Sequence, residues 1–193
     1  MPEIHSVAVF CGSNSGTNPA FAAGARELGR GLAEAGLRLV YGGGRIGLMG
    51  TVADAALQAG GKVLGVIPEF LARLEVAHTG IADLAVTDSM HSRKQRMFAE
   101  ADAFVSMPGG LGTLDETVEI ITWRQLRLHD KPILLCDIAG SAAPLLAAIH
   151  AAIELGFAPA RARDLFEVVD GVAPLLQRLR GLPRAAAVPA DRL

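Results

Sequence analysis

Ala103-Phe104-Val105-Ser106-Met107-Pro108-Gly109-Gly110-Leu111-Gly112-Thr113-Leu114-Asp115-Glu116 reads as an apolar run, a glycine-rich turn and the start of a helical pattern that continues to about Leu128. A strand buried along its length, then a tight turn, then a helix, is the repeating unit of a parallel sheet covered on both faces. The same turn has the elements of an anion site: glycines admit close backbone approach, and the unpaired N–H groups of a helix start carry positive dipole. Glu116 stands one turn into that helix. Thr113 and Glu116 also fit a capping box, in which the carboxylate only reaches back to the helix end.

Outward from this stretch the alternation repeats. Apolar runs at residues 7–13, 37–41, 63–67, 84–87, 132–136 and 166–169 alternate with helical patterns. Asn18-Pro19 caps the first helix and Gly36 ends it. Ser141 is expected to cap a helix that buries Leu145, Leu146, Ile149 and Ile153, and Asp170 to cap the last one. Residues 69–83 are weakly patterned and fit a loop or a short helix. The expected fold is α/β: a doubly wound Rossmann-like sandwich, with a mostly parallel sheet of about seven strands and helices on both faces. Residues 1–180 are expected to form one nucleotide-binding domain, and residues 181–193, rich in Pro, Ala and Arg, a mobile tail.

The chain has 193 residues, 51% hydrophobic, with formal net charge −2, which suits one well-buried domain and gives no basic excess for a nucleic-acid backbone. No nucleic-acid polymer and no membrane is expected as partner, and with no leader-like start the expected location is cytoplasmic. Cys11 and Cys136 close strand-like runs and fit neither a disulfide framework nor a metal spacing, so core packing is their expected role. No metal and no cofactor is expected.

Three further groups could carry chemistry. Residues 42–47 read G-x-G-x-x-G between a strand and a helix, but no acid closes the next strand where a dinucleotide ribose would need it. A phosphate loop, with Ser13, Gly43, Gly44 and Gly47 as candidates, and a turn needing glycines for packing both remain open. Met90-His91-Ser92-Arg93-Lys94 puts two cations in a first helical turn, where the dipole disfavours them, so an anionic ligand or a solvated basic face would account for them. Glu116, Glu119 and Trp123 share a helix face, suiting a ligand with a phosphate, a sugar and a flat base.

Taken together, Gly42-Gly43-Gly44-x-x-Gly47-Leu48-Met49-Gly50, Gly65-Val66-Ile67-Pro68, Met90-His91-x-Arg93-Lys94, Pro108-Gly109-Gly110-x-Gly112-Thr113-x-x-Glu116 and Ile121-Thr122-Trp123 resemble the LONELY GUY family of cytokinin-activating enzymes, once widely labelled lysine decarboxylases. The resemblance spans about residues 5 to 180. It implies a cytokinin riboside 5′-monophosphate phosphoribohydrolase that cleaves the N-glycosidic bond of an N6-modified AMP, releasing free base and ribose 5-phosphate. It further implies a homodimer, with Arg93 and Glu116 as the catalytic pair. The expected substrate contacts are Glu75, Met90, Lys94, Gly109, Gly110, Leu111, Gly112, Thr113, Leu114, Asp115, Glu119 and Thr122. A general AMP nucleosidase and a non-catalytic nucleotide carrier are the alternative readings.

Overall fold

The computed structural model describes residues 3–74 and 77–185. Seven strands form one sheet: β1 (Ser6–Phe10), β2 (Arg38–Tyr41), β3 (Val63–Pro68), β4 (Asp83–Thr87), β5 (Ala103–Ser106), β6 (Ile133–Asp137) and β7 (Glu167–Asp170). The helices between them are α1 (Pro19–Glu34), α2 (Gly47–Gln58), α3 (Glu69–Arg73), α4 (Met90–Glu100), α5 (Leu111–Gln125) and α6 (Ala143–Glu154), with α7 (Val172–Arg180) closing the order. Strand order is β4-β3-β2-β1-β5-β6-β7, and every pairing is parallel. The doubly wound sandwich is therefore the fold, and the weak stretch after Pro68 begins with the short α3.

Burial explains the layers. Every residue of β1 is buried, as a central parallel strand requires. Val7, Val9, Leu39, Tyr41 and Val105 face a core with Leu28, Leu32, Val52, Leu175 and Leu179 of α1, α2 and α7. Ala8, Phe10, Val40, Val66 and Phe104 face a second core with Met97, Phe98, Ile120 and Ile121 of α4 and α5. Cys11 and Cys136 are buried within the first core, and burial pushes the Cys136 thiol up to about 12, so packing is their state. Because α1 and α5 lie on opposite faces, the chain diverges beyond the adjacent ends of β1 and β5, which opens a crevice at the strand C-termini.

Three local expectations need correction. The Asn18 side chain does accept the Ala20 N–H at the start of α1. At α6, however, Ala142 is the N-cap, because the Ser141 hydroxyl is turned back to accept the Ile138 N–H. None of Leu145, Leu146, Ile149 and Ile153 is fully buried; α6 covers the sheet edge with a half-buried stripe. Asp170 belongs to β7, and Gly171, at φ 82°, starts α7 without a side-chain cap.

At the N-terminal ends of the central strands β1 and β5, Leu182 is buried, Pro183 bridges Glu3, and Arg184 Nε donates to Asp102 Oδ1 at 2.7 Å. Residues 186–193 of the expected tail lie outside the described residues. Asp102 Oδ2 also accepts the His5 and Ser6 N–H groups and the Ser6 hydroxyl. Burial opposes the charge on Asp102, but these donors and Arg184 outweigh it and hold the carboxyl below its ordinary value. Asp102→Ala orphans the buried Ser6 N–H and removes the acceptor of the His5 N–H, so it is expected to cost about 1–3 kcal/mol in a denaturant melt. A depressed folded pKa stabilises above the unfolded value and loses that contribution as pH falls through the folded one. The deficit of Asp102→Ala relative to the parent should therefore shrink on acidification below pH 3.8, the ordinary aspartate value.

Candidate active site

The capping box of this molecule sits on α4. The Ser89 side chain accepts the Ser92 N–H at 3.1 Å, and the Ser92 hydroxyl accepts the Ser89 N–H at 3.1 Å. With that end secured, Arg93 points from the first turn under the C-terminal ends of the strands. Its Nε donates to the Val66 carbonyl at 3.0 Å and its Nη1 to Glu116 Oε1 at 2.6 Å. Arg93 is 7% exposed and Glu116 8%, so the charges are paired away from solvent. Burial pushes the Glu116 carboxyl above its ordinary value, with Arg93 and then Lys94 holding part of that rise back.

Glu116 therefore does not cap α5. That helix begins at Leu111 with Gly110 as N-cap, no side chain caps it, and Thr113 lies inside the first turn. A Cβ at Gly109 would overlap the Thr113 side chain, so glycine is required there for close packing. Gly110 and Gly112 face open space, leaving the first N–H groups of α5 accessible. A cavity of about 370 Å³ adjoins the turn, lined by residues 12–16, Phe21, Leu48, Pro108, Gly109, Gly110 and Ser141.

Lys94 Nζ lies 2.6 Å from Asp115 Oδ2 and 3.4 Å from Glu119 Oε2. Burial disfavours its charge, but the two carboxylates outweigh this and raise its pKa. Arg93, Lys94, Asp115, Glu116 and Glu119 thus form one ionic cluster beside residues 109–113. Met90 is 38% exposed at the start of α4, and Leu111 and Leu114 are exposed on α5. Thr122 is exposed, its hydroxyl donating to the Val118 carbonyl of its own helix. Trp123 is set edge-on to Phe98, ring centroids 5.1 Å apart, within the second core's margin. Glu75 lies outside the described residues.

The second glycine loop is spoken for by packing. A Cβ at Gly42 would overlap Arg93 Nη2, and one at Gly47, φ 63°, would strike the Ser13–Asn14 backbone. Gly43, φ 73°, abuts Ile67, and Gly44 bridges Ala77. Ser13 alone of the four secondary candidates lines the cavity. Gly42 and Val66 stand in the sequence motifs, but their contacts with Arg93 were not foreseen from the sequence. A buried arginine in a sequence motif demands such partners, but nothing local names them.

Fold and site define a class: a doubly wound α/β protein with an uncapped helix start beside a buried arginine–glutamate pair, the layout of a nucleotide-handling crevice. A family profile described as "Possible lysine decarboxylase" matches residues 49–179. The chain is 43% identical to the probable cytokinin riboside 5′-monophosphate phosphoribohydrolase LOG4 of Oryza sativa subsp. japonica, covering 91% of this chain and 76% of the relative. It is 48% identical to the cytokinin riboside 5′-monophosphate phosphoribohydrolase of Rhodococcoides fascians, over 82% of this chain and 81% of that one. The solved molybdenum cofactor binding protein of Rippkaea orientalis superposes with TM-score 0.70 at 19% identity, covering 93% of this chain and 97% of its own, which shows a shared fold. The chain belongs to the LONELY GUY family of phosphoribohydrolases.

Proposed function

We propose that this protein is a cytokinin riboside 5′-monophosphate phosphoribohydrolase, cleaving the N-glycosidic bond of an N6-modified AMP. The observation that carries the reading is the buried Arg93–Glu116 pair, 2.6 Å apart, beside the open start of α5. The 5′-phosphate sits on the N–H groups of residues 110–113, where dipole and geometry favour an anion. Anchored there, the ribose is presented to Glu116. As the bond from C1′ to the base nitrogen breaks, its electrons leave with the base and C1′ gains oxocarbenium character. Water adds at C1′, and its proton balance is closed by the departing base. Glu116 serves as carboxylate, stabilising the developing charge or taking the water's proton. Arg93 holds that carboxylate in place and favours its ionised form against the effect of burial.

Lysine decarboxylation does not fit these residues. A Schiff-base lysine must lose its proton within the site. Lys94 is held charged by two carboxylates, whereas Lys62 and Lys131 precede β3 and β6, on the edge away from the crevice. Lys131 does have a lowered pKa, about 8, through burial, but its Nζ donates to the Phe98 carbonyl.

The deciding assay incubates the protein with isopentenyladenosine 5′-monophosphate and with AMP and measures free base. Faster release from the modified nucleotide is expected. Equal or faster release from AMP makes the protein a general AMP nucleosidase, and binding without release makes it a carrier.

The enzyme is proposed to act as a homodimer in the cytoplasm. Leu111, Leu114 and Val118 on α5 and Leu126 at its C-cap are exposed apolar side chains, and a second copy would cover them. Light scattering is expected to give twice the 20.1 kDa chain mass. Among the described residues no helix is long and apolar enough to cross a membrane.

A further inference from the structure

His78 stands apart from the Arg93–Glu116 pair, yet it is buried, 8% exposed, with every polar group of its ring engaged. Its backbone N–H donates to the Gly43 carbonyl at 2.9 Å, and the preceding Ala77 bridges Gly44. Its Nδ1 accepts the Gly80 N–H at 3.1 Å, which in the neutral ring leaves the proton on Nε2. That nitrogen faces Asp54 Oδ1 of α2 at 2.9 Å. The backbone of His78 thereby holds the turn after β2, while its imidazole ties that segment to α2 and to the residues leading into β4.

The turn matters because of what it touches. Gly42, Gly43 and Gly44 are buried, and Gly42 lies so close to Arg93 Nη2 that a Cβ there would overlap it. Gly43 takes a left-handed conformation, φ 73°, against Ile67, and its carbonyl is the one His78 holds. The guanidinium thus has the Val66 carbonyl at Nε, the Glu116 carboxylate at Nη1 and the glycine turn behind Nη2.

We propose that His78, oriented by Asp54, is a positioning residue for Arg93: it pins residues 42–44 against the guanidinium and so fixes the Arg93–Glu116 geometry from behind. The inference rests on the reading of that pair as the reacting centre. A group held by a wall that slips loses transition-state alignment more than ground-state binding, so the effect falls on kcat.

Two readouts test this in the full chain: the Arg93 Nε–H resonance of the unliganded protein, and kcat and KM on isopentenyladenosine 5′-monophosphate. His78→Ala and Asp54→Ala are expected to move or broaden the Arg93 signal and lower kcat about tenfold, with KM within about twofold. Asp54, whose side chain is 57% exposed, gives a variant that tests the link without emptying a buried site. His78→Gln, whose amide nitrogen can donate to Asp54 in place of Nε2, should restore both readouts toward the parent. An unmoved Arg93 signal in both alanine variants overturns the proposal, and so does failure of glutamine to restore it. If the parent protein releases no base, the proposed activity fails, while the Arg93 signal still decides the role of His78.

Discussion

Glu116→Gln is expected to lower kcat for base release about a thousandfold while leaving AMP binding nearly unchanged. Glutamine keeps the shape and an oxygen that can accept from Arg93 Nη1, so the buried site stays filled. It cannot carry the negative charge that the sugar's oxocarbenium character calls for, nor take a proton from water. The proposed phosphate anchor on residues 110–113 is untouched, so affinity is expected to survive. A pH profile sharpens the test. Burial raises the carboxyl above its ordinary value of 4.5, so protonation switches it off earlier on acidification than a solvated glutamate. The acid limb of kcat/KM should fall above that value in the parent and vanish from the residual activity of Glu116→Gln. A variant keeping more than about a tenth of parental kcat would show that the carboxylate is not the reacting group.

The same residue shows what could and could not be read from the chain. Strand, glycine turn and helix were legible around Pro108, because an apolar run followed by glycines and a 3.6-residue pattern has few other solutions. The capping-box reading of Thr113 and Glu116 depended on where the helix begins. The turn ends at Gly110, so the helix starts two residues before Thr113 and carries Glu116 inward. The capping box that does form, on α4, carried no usual signature: Ser89 and Ser92 satisfy it through two hydroxyls rather than through an acid. The role of residues 42–47 was not legible, since their glycines answer to Arg93, Ile67 and the Ser13 turn, partners distant in sequence. His78 and Asp54 were missed for the same cause: they are 24 residues apart, and His78 lies in the weakly patterned stretch. On α6, periodicity identified the apolar face correctly, but at the sheet's edge too little structure remains to cover it fully.

Arg93→Ala should lose at least about a hundredfold in kcat and also unfold at lower denaturant, for two separable reasons. Removing the guanidinium leaves Glu116 buried without its countercharge, which drives the carboxyl further up, and leaves the Val66 carbonyl without its donor. Breaking one side of a buried pair costs about 3–5 kcal/mol, so the melt must be measured beside the rate. Arg93→Lys should not rescue activity, because a single ammonium cannot span the Val66 carbonyl and Glu116 with the planar fork that the site uses. Gly42→Ala separates geometry from charge. Its Cβ would occupy the space of Arg93 Nη2 and displace the fork while both charges remain, so kcat should drop about tenfold or more. Its stability should suffer less than that of Arg93→Ala, since the buried carboxylate keeps a cation close by. Full activity in either Arg93→Lys or Gly42→Ala would mean that only a nearby positive charge is required. Loss in both, with the Gly42→Ala fold retained, makes the aim of the guanidinium, set by a strand carbonyl on one side and a glycine wall on the other, a requirement of the chemistry.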